Sequence, residues 1–264
     1  MSGAQFELTG PEPGSRPAAR APRNAVALKP AGAVRLFEAD PDLAGDVPEE
    51  IAPRLRRHVI VEVCTLERGP WQPLHEDLAG RAPFGLLVLE GALTRRVAAG
   101  RRHAAELLGR GDLIRPDQPD ADEYAVVAQQ ARWSVLERAE LALLDHDFVA
   151  GVAGIPGVLP RLAARAIDRS RALVLRLAIA QIPNMPERVH LLLWHLADRW
   201  GRREAGSVVL QLRLPQDLIA ELLGAHRSSV NSALHDLAER GVIERRGVAW
   251  ALCGDPPGDL LARI

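Results

Sequence analysis

The segment from Leu214 to Ile243 constrains the fold of this chain more than any other, because its apolar residues are spaced for two short helices joined by a tight turn. In the first predicted helix, apolar residues recur three and four positions apart and share one face that must be buried: Leu218, Ile219, Leu222 and Leu223. Gly224 ends this helix, since glycine reaches the left-handed conformation of a helix C-terminus without a steric penalty. Only Ala225 and His226 precede the next helical pattern.

The second predicted helix runs from Arg227 to Glu239 and buries Val230, Ala233, Leu234 and Leu237. Short hydrogen-bonding side chains, led by one arginine at the N-terminus, remain on or near its outer face: Arg227, Ser228, Ser229, Asn231, Ser232 and His235. A helix that enters a DNA major groove presents its base-contacting residues in this way. The segment is therefore interpreted as a helix-turn-helix.

Two alternating runs around Arg246 and Gly247 follow the second helix and predict a β-hairpin. Next to a helix-turn-helix, such a hairpin is a wing, with Arg245 and Arg246 near its tip. Spacing alone leaves an alternative open, in which the segment is an ordinary helical hairpin packed on a core.

Length, charge and cysteine content narrow the class of protein. The chain has 264 residues, enough for one large domain or two moderate ones. It has no export signal, so a cytoplasmic location is expected. Cys64 and Cys253 are too far apart in the sequence to form a cysteine cluster, and no cofactor is predicted. The net charge is -1, and acidic residues slightly outnumber arginines after Ala205. DNA affinity would therefore depend on where the arginines lie.

The first half of the chain predicts a leader and then a β domain. Residues 1–32 are rich in Pro, Gly, Ala and Arg and are expected to be disordered. A short helix is predicted from Pro48, with Glu49 and Glu50 in its first turn. Short strands then alternate with turns, which favours an antiparallel jelly-roll-like barrel over residues 33–152: Val59–Leu66, Gly85–Leu89, Leu93–Val97, His103–Leu108, Tyr124–Gln129 and Trp133–Leu144.

A helix capped by Asp145 is predicted through Val152, and a long helix follows from Val158 to Ile182. Along the long helix, residues at alternating spacings of four and three form the repeat of a two-helix seam: Ala163, Ile167, Ser170, Val174 and Leu177. A second apolar side contains Leu159, Leu162, Ala166, Leu173 and Ile179. The segment 153–183 is thus predicted to form a homodimer, while a helix buried within one chain remains the alternative.

The remaining residues, 184–264, are assigned to a winged helix-turn-helix domain. Asn184 and Glu187 have the spacing of a capping box at the start of another helix. Its buried stripe is predicted to contain Val189, Leu192, Leu193, Leu196, Ala197 and Trp200, with His190 and His195 on the polar side. A polar loop from Gly201 to Ser207 and a short strand from Val208 to Leu212 complete the prediction.

Residues 48–253 resemble the Crp/Fnr superfamily of bacterial transcription regulators. The resemblance is most specific at residues 224–230, Gly-Ala-His-Arg-Ser-Ser-Val, and at the turns Leu89-Glu90-Gly91-Ala92-Leu93 and Gly111-Asp112-Leu113-Ile114. It implies an α+β chain with a cyclic-nucleotide-binding-like β-barrel, a dimerisation helix and a winged helix-turn-helix. It also implies dimers on two-fold symmetric double-stranded DNA, an effector in the barrel, here of unknown identity, and RNA polymerase as a further partner.

Departures from the family pattern affect both domains. Ser228 and Ser232 replace the usual Glu and second Arg of the recognition helix, so a different operator is expected. Pro215 replaces the usual Ser or Thr cap of the preceding helix. After Ile114, acids and prolines from Arg115 to Ala125 stand where the family holds a cyclic nucleotide phosphate. The chain is therefore expected to act without cyclic AMP, unless Arg115 takes over the role of holding the phosphate.

Nine residues form the predicted DNA-binding set. Arg227, Ser228, Asn231 and Ser232 are assigned to base edges, and Arg227 is able to bind a guanine through two hydrogen bonds. His226, Ser229, Arg245 and Arg246 are assigned to phosphates, and His235 completes the set. Phosphate contacts position a protein on DNA, and base contacts specify the sequence.

Two rival functions remain at this stage. One is a metal-dependent, cupin-like enzyme in which His75, Glu76, His103 and Glu106 supply ligands, although the pair His75-Glu76 lacks the two-histidine spacing of such sites. The other is a regulatory module that acts through protein contacts, which the near-neutral C-terminal charge supports.

Overall fold

Antiparallel strands make up the first half of the protein, and helices with a second small sheet make up the rest. The computed structural model describes residues 28–73, 78, 81–99, 102–116 and 130–258. The elements of the first half are β1 (Lys29–Arg35), α1 (Leu36–Ala39), a 3-10 turn (Pro41–Ala44), α2 (Ala52–His58), β2 (Ile60–Leu66), β3 (Gly69–Trp71), β4 (Gly85–Ala99), β5 (Arg102–Gly109), β6 (Leu113–Ile114), β7 (Gln130–Leu144) and α3 (His146–Val152). The second half contains α4 (Val158–Ala180), α5 (Met185–Trp200), β8 (Gly201–Glu204), β9 (Ser207–Leu210), α6 (Gln216–Leu223), α7 (Arg227–Glu239), β10 (Ile243–Arg246) and β11 (Ala249–Cys253).

The first sheet has the strand order β1-β2-β7-β4-β5, with β3 also paired to β7 and β6 to β4, and every pair is antiparallel. Side chains from strands throughout this sheet meet in one core, which contains Leu66, Trp71, Leu86, Leu108 and Leu141. A second core covers the opposite face and is completed by the helices of the first half and by α4. The α+β fold class predicted from the sequence is confirmed.

Several boundaries in the first half differ from the predictions. Strand β1 begins at Lys29, inside the segment assigned to the leader, because pairing with β2 orders it. Helix α2 begins at Ala52 rather than Pro48, since residues 48–51 form a turn in which the Ile51 N–H donates to the Pro48 carbonyl at 3.0 Å. The acids therefore precede the helix. The two strands predicted within 85–97 are one strand, β4. Residues 1–27 and the strand predicted at 124–129 lie outside the described residues.

Helix α4 lies along the first sheet and leads to the C-terminal part. Its Arg165 donates to both carboxylate oxygens of the buried Asp40, at 2.5 and 2.8 Å. Val158, Leu162 and Ile179 are buried against the same chain. The predicted seam residues Ala163, Ile167, Ser170, Val174 and Leu177 are all exposed, and so is Ala166 from the predicted second apolar side.

Helix α5 begins as predicted, because the side chain of Asn184 accepts a hydrogen bond from the Glu187 N–H at 3.2 Å. The prediction for its histidines is wrong. His190 is buried and its Nε2 accepts a hydrogen bond from Trp194 Nε1 at 3.0 Å, while the Nδ1 of His195 is buried and has no hydrogen-bond partner in the described part of the chain. The reason is that α4, α7 and β9 all pack against α5, so more of its circumference is covered than one apolar stripe indicates.

The second sheet has the order β10-β11-β9-β8. Strand β8 of this sheet lies where a polar loop was predicted. The four residues of β8 are all exposed, so their sequence lacks the apolar alternation of a half-buried strand. Pairing with β9 supplies the backbone hydrogen bonds that make β8 a strand.

Contacts between distant segments join the two halves. Ala92, Ala105 and Leu107 of the first sheet belong to the same apolar core as α5, α6 and α7. Arg96 Nε of β4 donates to Glu221 Oε2 of α6 at 2.6 Å. The Arg213 N–H donates to Glu137 Oε1 of β7 at 3.1 Å. No helix within the described residues has the length and apolar character needed to cross a membrane.

Candidate nucleic-acid interface

Helices α6 and α7 form the predicted helix-turn-helix. The apolar face of α6 is buried, including Leu218, Ile219, Leu222 and Leu223. Gly224 has the left-handed backbone conformation, with φ of 60° and ψ of 29°, and the Ala225 N–H closes the helix end on the Ala220 carbonyl at 2.9 Å. Helix α7 begins at Arg227 and buries Val230, Ala233, Leu234 and Leu237 in the same core. These buried faces fix the angle at which the two helices cross.

The outer face of α7 carries the predicted base-contacting side chains. Ser228, Asn231, Ser232 and His235 are exposed, and at 100° per residue they lie opposite the buried face. Arg227 occupies the first helical position, and 67% of its side chain is exposed. His226, the residue before the helix, is also exposed, whereas Ser229 is half-buried. Eight of the nine predicted residues are thus exposed, because Arg245 and Arg246 are exposed as well.

A polar network between α6 and α7 orients two of these side chains. Gln216 Nε2 donates to Asn231 Oδ1 at 2.8 Å, which leaves the amide nitrogen of Asn231 pointing away from this contact. Asp217 Oδ1 lies 3.3 Å from Arg227 Nε. Within α7, Ser232 Oγ donates to the Ser228 carbonyl at 3.2 Å, and His235 Nε2 lies 3.2 Å from Glu239 Oε1.

Gln216 and Asp217 were missed by the sequence reasoning, although they are the first two residues of α6. Their position directly after Pro215 was the available signal, because the first turn of this helix faces the start of α7. The two side chains hold a guanidinium and an amide in place, which lowers the entropy lost when those groups bind a ligand.

The wing is present as β10 and β11, joined through Gly247 with φ of 62°. Its two arginines differ in their surroundings. The guanidinium carbon of Arg245 lies 5.0 Å above the ring of Trp250, and Nε donates to the Gly247 carbonyl at 3.2 Å. Arg246 donates to Glu244 Oε2 and to Glu204 Oε2, both at 3.0 Å. Arg245 is therefore the wing arginine without a carboxylate partner among the described residues.

Glu204 belongs to the β8–β9 hairpin, which was also missed. The available signal was Gly206, which has φ of 74° and stands between short runs of strand-compatible residues. This hairpin places the carboxylate of Glu204 beside Arg246, and that negative charge offsets part of the positive charge of the wing.

Of the residues of the rival metal site, the two that the structure describes, His103 and Glu106, do not lie together. Glu106 is buried, and its carboxylate lies 2.6 Å from Arg169 Nε and 3.7 Å from Arg95 Nη1. His103 is exposed and, three positions away along β5, lies on the opposite face of the strand. His75 and Glu76 lie outside the described residues. Within the part of the chain that the structure describes, no cluster of three or more His, Cys, Asp or Glu residues has the arrangement of a metal site.

Comparisons with known proteins agree with this geometry. The family of Crp-like helix-turn-helix domains matches residues 187–252. A CRP-like cAMP-activated global transcriptional regulator from Mycobacterium tuberculosis is 30% identical over 185 residues, which cover 69% of this chain and 75% of the relative.

Solved structures show the same fold. A cyclic nucleotide-binding domain containing protein from Listeria monocytogenes superposes with a TM-score of 0.58 at 16% identity, over 73% of this chain and 89% of that one. FixK2 from Bradyrhizobium japonicum gives 0.55 at 16% identity, over 75% and 94%.

Proposed function

The chain belongs to the Crp/Fnr superfamily of transcription regulators, a family of DNA-binding proteins rather than enzymes, and we propose that its helix α7 reads the operator sequence. The single observation that carries this proposal is the exposed polar face of α7, held on a buried apolar face that fixes its direction. Such a helix fits the major groove of B-DNA, where each base pair presents a distinct pattern of donors and acceptors.

The proposed roles follow from position and chemistry. Arg227, Ser228, Asn231 and Ser232 contact base edges, and Arg227 binds a guanine through two parallel hydrogen bonds, a contact that contributes about 1–3 kcal/mol of discrimination. His226, Ser229, Arg245 and Arg246 contact phosphates beside the groove, with His235 further along α7. Asp217 supports the role of Arg227, because a carboxylate at Nε leaves the two terminal nitrogens directed outward.

Replacing Arg227 with alanine tests this proposal. We expect binding to a duplex selected from a random pool to weaken about 10- to 100-fold, and binding to unselected DNA to change only a few-fold. Fluorescence anisotropy at fixed salt measures both. The control is Arg240→Ala at the end of α7, an exposed arginine paired with Asp236, which should behave like the unaltered protein. Equal losses on selected and unselected DNA would assign Arg227 to the phosphate backbone and contradict the proposal.

A homodimer is the second part of the proposal. Ile167, Val174 and Leu177 are 53%, 63% and 62% exposed on one face of α4. A contiguous row of large apolar side chains in water is unfavourable, and a second copy of the same helix buries it with the spacing of a coiled-coil seam. Two-fold symmetry then places the two α7 helices on half-sites about 34 Å apart along the DNA.

Independence from cyclic AMP is the third part. The Mycobacterium relative is named as cAMP-activated, but Asp117, Asp120 and Asp122 follow the Gly111-Asp112 turn in this chain and would repel a phosphate. These aspartates lie outside the described residues, so the support is the sequence itself. Adding cyclic AMP to the anisotropy titration should leave the DNA affinity unchanged. RNA polymerase is the proposed further partner, to be tested by footprinting on the selected site.

A further inference from the structure

A cavity of about 600 Å³ lies between β5, the middle of α4 and the C-terminal half of α5. Its walls are mainly apolar and include Leu107, Leu173, Leu196 and Trp200. None of the nine residues proposed to bind DNA lines this cavity. Its volume falls within the range of small-molecule sites, about 300–1,000 Å³, and such sites combine apolar walls with a few polar groups.

Arg176 is the polar group that distinguishes this cavity. Other arginines along its walls have carboxylate partners: Arg169 with Glu106 at 2.6 Å, Arg171 with Asp168 at 3.0 Å and Arg199 with Asp112 at 2.8 Å. Arg176 is half-buried and makes no hydrogen bond or ion pair within the described part of the chain. Burial lowers the pKa of its guanidinium from the ordinary value, and the more distant Glu106 only partly offsets this. A guanidinium taken out of water without a partner is unfavourable.

His195 lines the same cavity from α5, although its Nδ1 atom is out of reach of solvent and has no hydrogen-bond partner among the described residues. Burial is the main cause that lowers the pKa of this imidazole. The neutral form of the ring is therefore favoured, and it carries one N–H donor. Arg176 and His195 thus line the same mainly apolar cavity from different helices.

A second copy of α4 would not fill the cavity. Ala172 and Arg176 each lie two residues from Val174, which is about 200° around the helix axis. The cavity therefore opens on the side of α4 that faces its own chain, and the apolar row proposed for dimerisation lies on the other side.

From this geometry we propose that the cavity is a binding site for a small monocarboxylate with an apolar body. The planar guanidinium of Arg176 matches a carboxylate through two parallel hydrogen bonds. The apolar walls receive the hydrocarbon part of the ligand. A dianion such as a phosphate monoester fits less well, because the other arginines of the walls are already paired with carboxylates and Arg176 supplies a single positive charge.

The ligand would contact both halves of the protein, since β5 belongs to the first sheet and α5 packs with the helix-turn-helix. A ligand that binds one relative orientation of the two halves more tightly than another shifts the population toward the first. Occupancy of the cavity would then change the DNA affinity. This regulatory step rests on the proposed function. Binding of the carboxylate does not.

Calorimetric titration of the full chain with octanoate and 4-phenylbutyrate tests the site directly. The matched probes are octanamide and 4-phenylbutyramide, which keep the apolar body and lack the charge. We expect saturable binding of at least one acid at millimolar concentration or below, and about 10- to 100-fold weaker binding of its amide. Absence of binding by both acids, or equal binding of acid and amide, would overturn the proposal.

Variants locate the site. Arg176→Met should lose acid binding and keep or raise the unfolding temperature, because it removes a half-buried charge that has no partner among the described residues. Ala172→Phe, which fills the cavity from an exposed position of α4, should also lose binding. Arg161→Met is the control, since Arg161 lies on the same helix outside the cavity and pairs with Asp46. If both cavity variants bind the acids as the unaltered protein does, the ligand lies elsewhere and the proposal fails. DNA binding measured without the acids reports separately on the proposed function.

Discussion

At the scale of single residues, Gly91 is a position in β4 that has no room for a side chain. It lies where the pairing of β4 with β7 shifts register, and its φ is +85°. A Cβ atom there would lie 2.2 Å from the Arg138 carbonyl oxygen and 2.6 Å from Ala139 Cα. The shift lets a long strand change direction and enclose the core.

Gly91→Ala should therefore lower the free energy of unfolding by more than the cost of a positive φ alone, which is about 1–2 kcal/mol. Chemical denaturation measures the change. Gly206→Ala is the matched control, because Gly206 has φ of +74° and open space around the added Cβ. A loss no larger for Gly91→Ala than for the control would mean that β7 moves away freely.

A buried histidine predicts how stability depends on pH. Burial, followed by the positive charge of Arg240, lowers the pKa of His190 below its ordinary value of 6.5. The unfolded chain therefore binds a proton at His190 near pH 6.5, whereas the folded chain binds it only at lower pH. The contribution of His190 to the free energy of unfolding is fully present above pH 6.5, and it is lost as the pH falls through the pKa of the folded state.

We expect urea unfolding to show decreasing stability from pH 7 to pH 5. His190→Gln should reduce this slope without abolishing it, since burial also lowers the pKa of His195. The amide oxygen of glutamine can still accept the hydrogen bond from Trp194 Nε1, so the stability at pH 7 should change less than the slope. An unchanged slope would show that His190 does not titrate differently on unfolding.

At the scale of elements, the wing separates two arginines by what surrounds them. Arg245 stacks on Trp250, whereas Arg246 is engaged by carboxylates of its own strand and of the β8–β9 hairpin. A phosphate competes with those carboxylates for Arg246 but not for Arg245. The two elements together determine how much positive charge the wing offers to DNA.

Arg245→Ala should accordingly flatten the dependence of log K on log salt concentration more than Arg246→Ala does. Each phosphate contact contributes a slope of about 0.9 per protomer, and we expect nearly that change for Arg245→Ala and less for Arg246→Ala. Anisotropy titrations across a salt series measure both slopes. A larger effect of Arg246→Ala would show that its carboxylate partners release it on binding.

At the scale of the whole molecule, the exposed face of α4 predicts the oligomeric state. Val174→Glu places a charge in the middle of the proposed seam, and burial of that charge against an apolar partner is unfavourable. We expect sedimentation to report a dimer for the unaltered chain and a large increase in the monomer fraction for the variant.

The control for this change is Leu175→Glu. Leu175 is also exposed on α4, at 43%, but lies about 100° around the axis from Val174, at the edge of the cavity. The Leu175→Glu substitution should leave the dimer intact. Equal dissociation by both variants would indicate a different interface, and a monomeric unaltered chain would remove the two-fold arrangement of the α7 helices.

The sequence determined the elements whose signals are local. The bounds of α7, the end of α6 at Gly224, the cap at Asn184 and the turn of the wing follow from apolar spacing and backbone preference within a few residues. The outer face of α7 could be read in the same way, because a buried stripe on a helix defines its opposite side.

Tertiary structure alone decided the features that join distant segments. Pairing with β2 brings Lys29 into the sheet, and pairing with β9 makes a strand of Gly201–Glu204. The burial of His190 and the partial burial of Arg176 depend on several elements packed around each side chain. The physical reason is that hydrogen-bond partners and loss of water are set by neighbours in space, and a single stretch of sequence does not specify those neighbours.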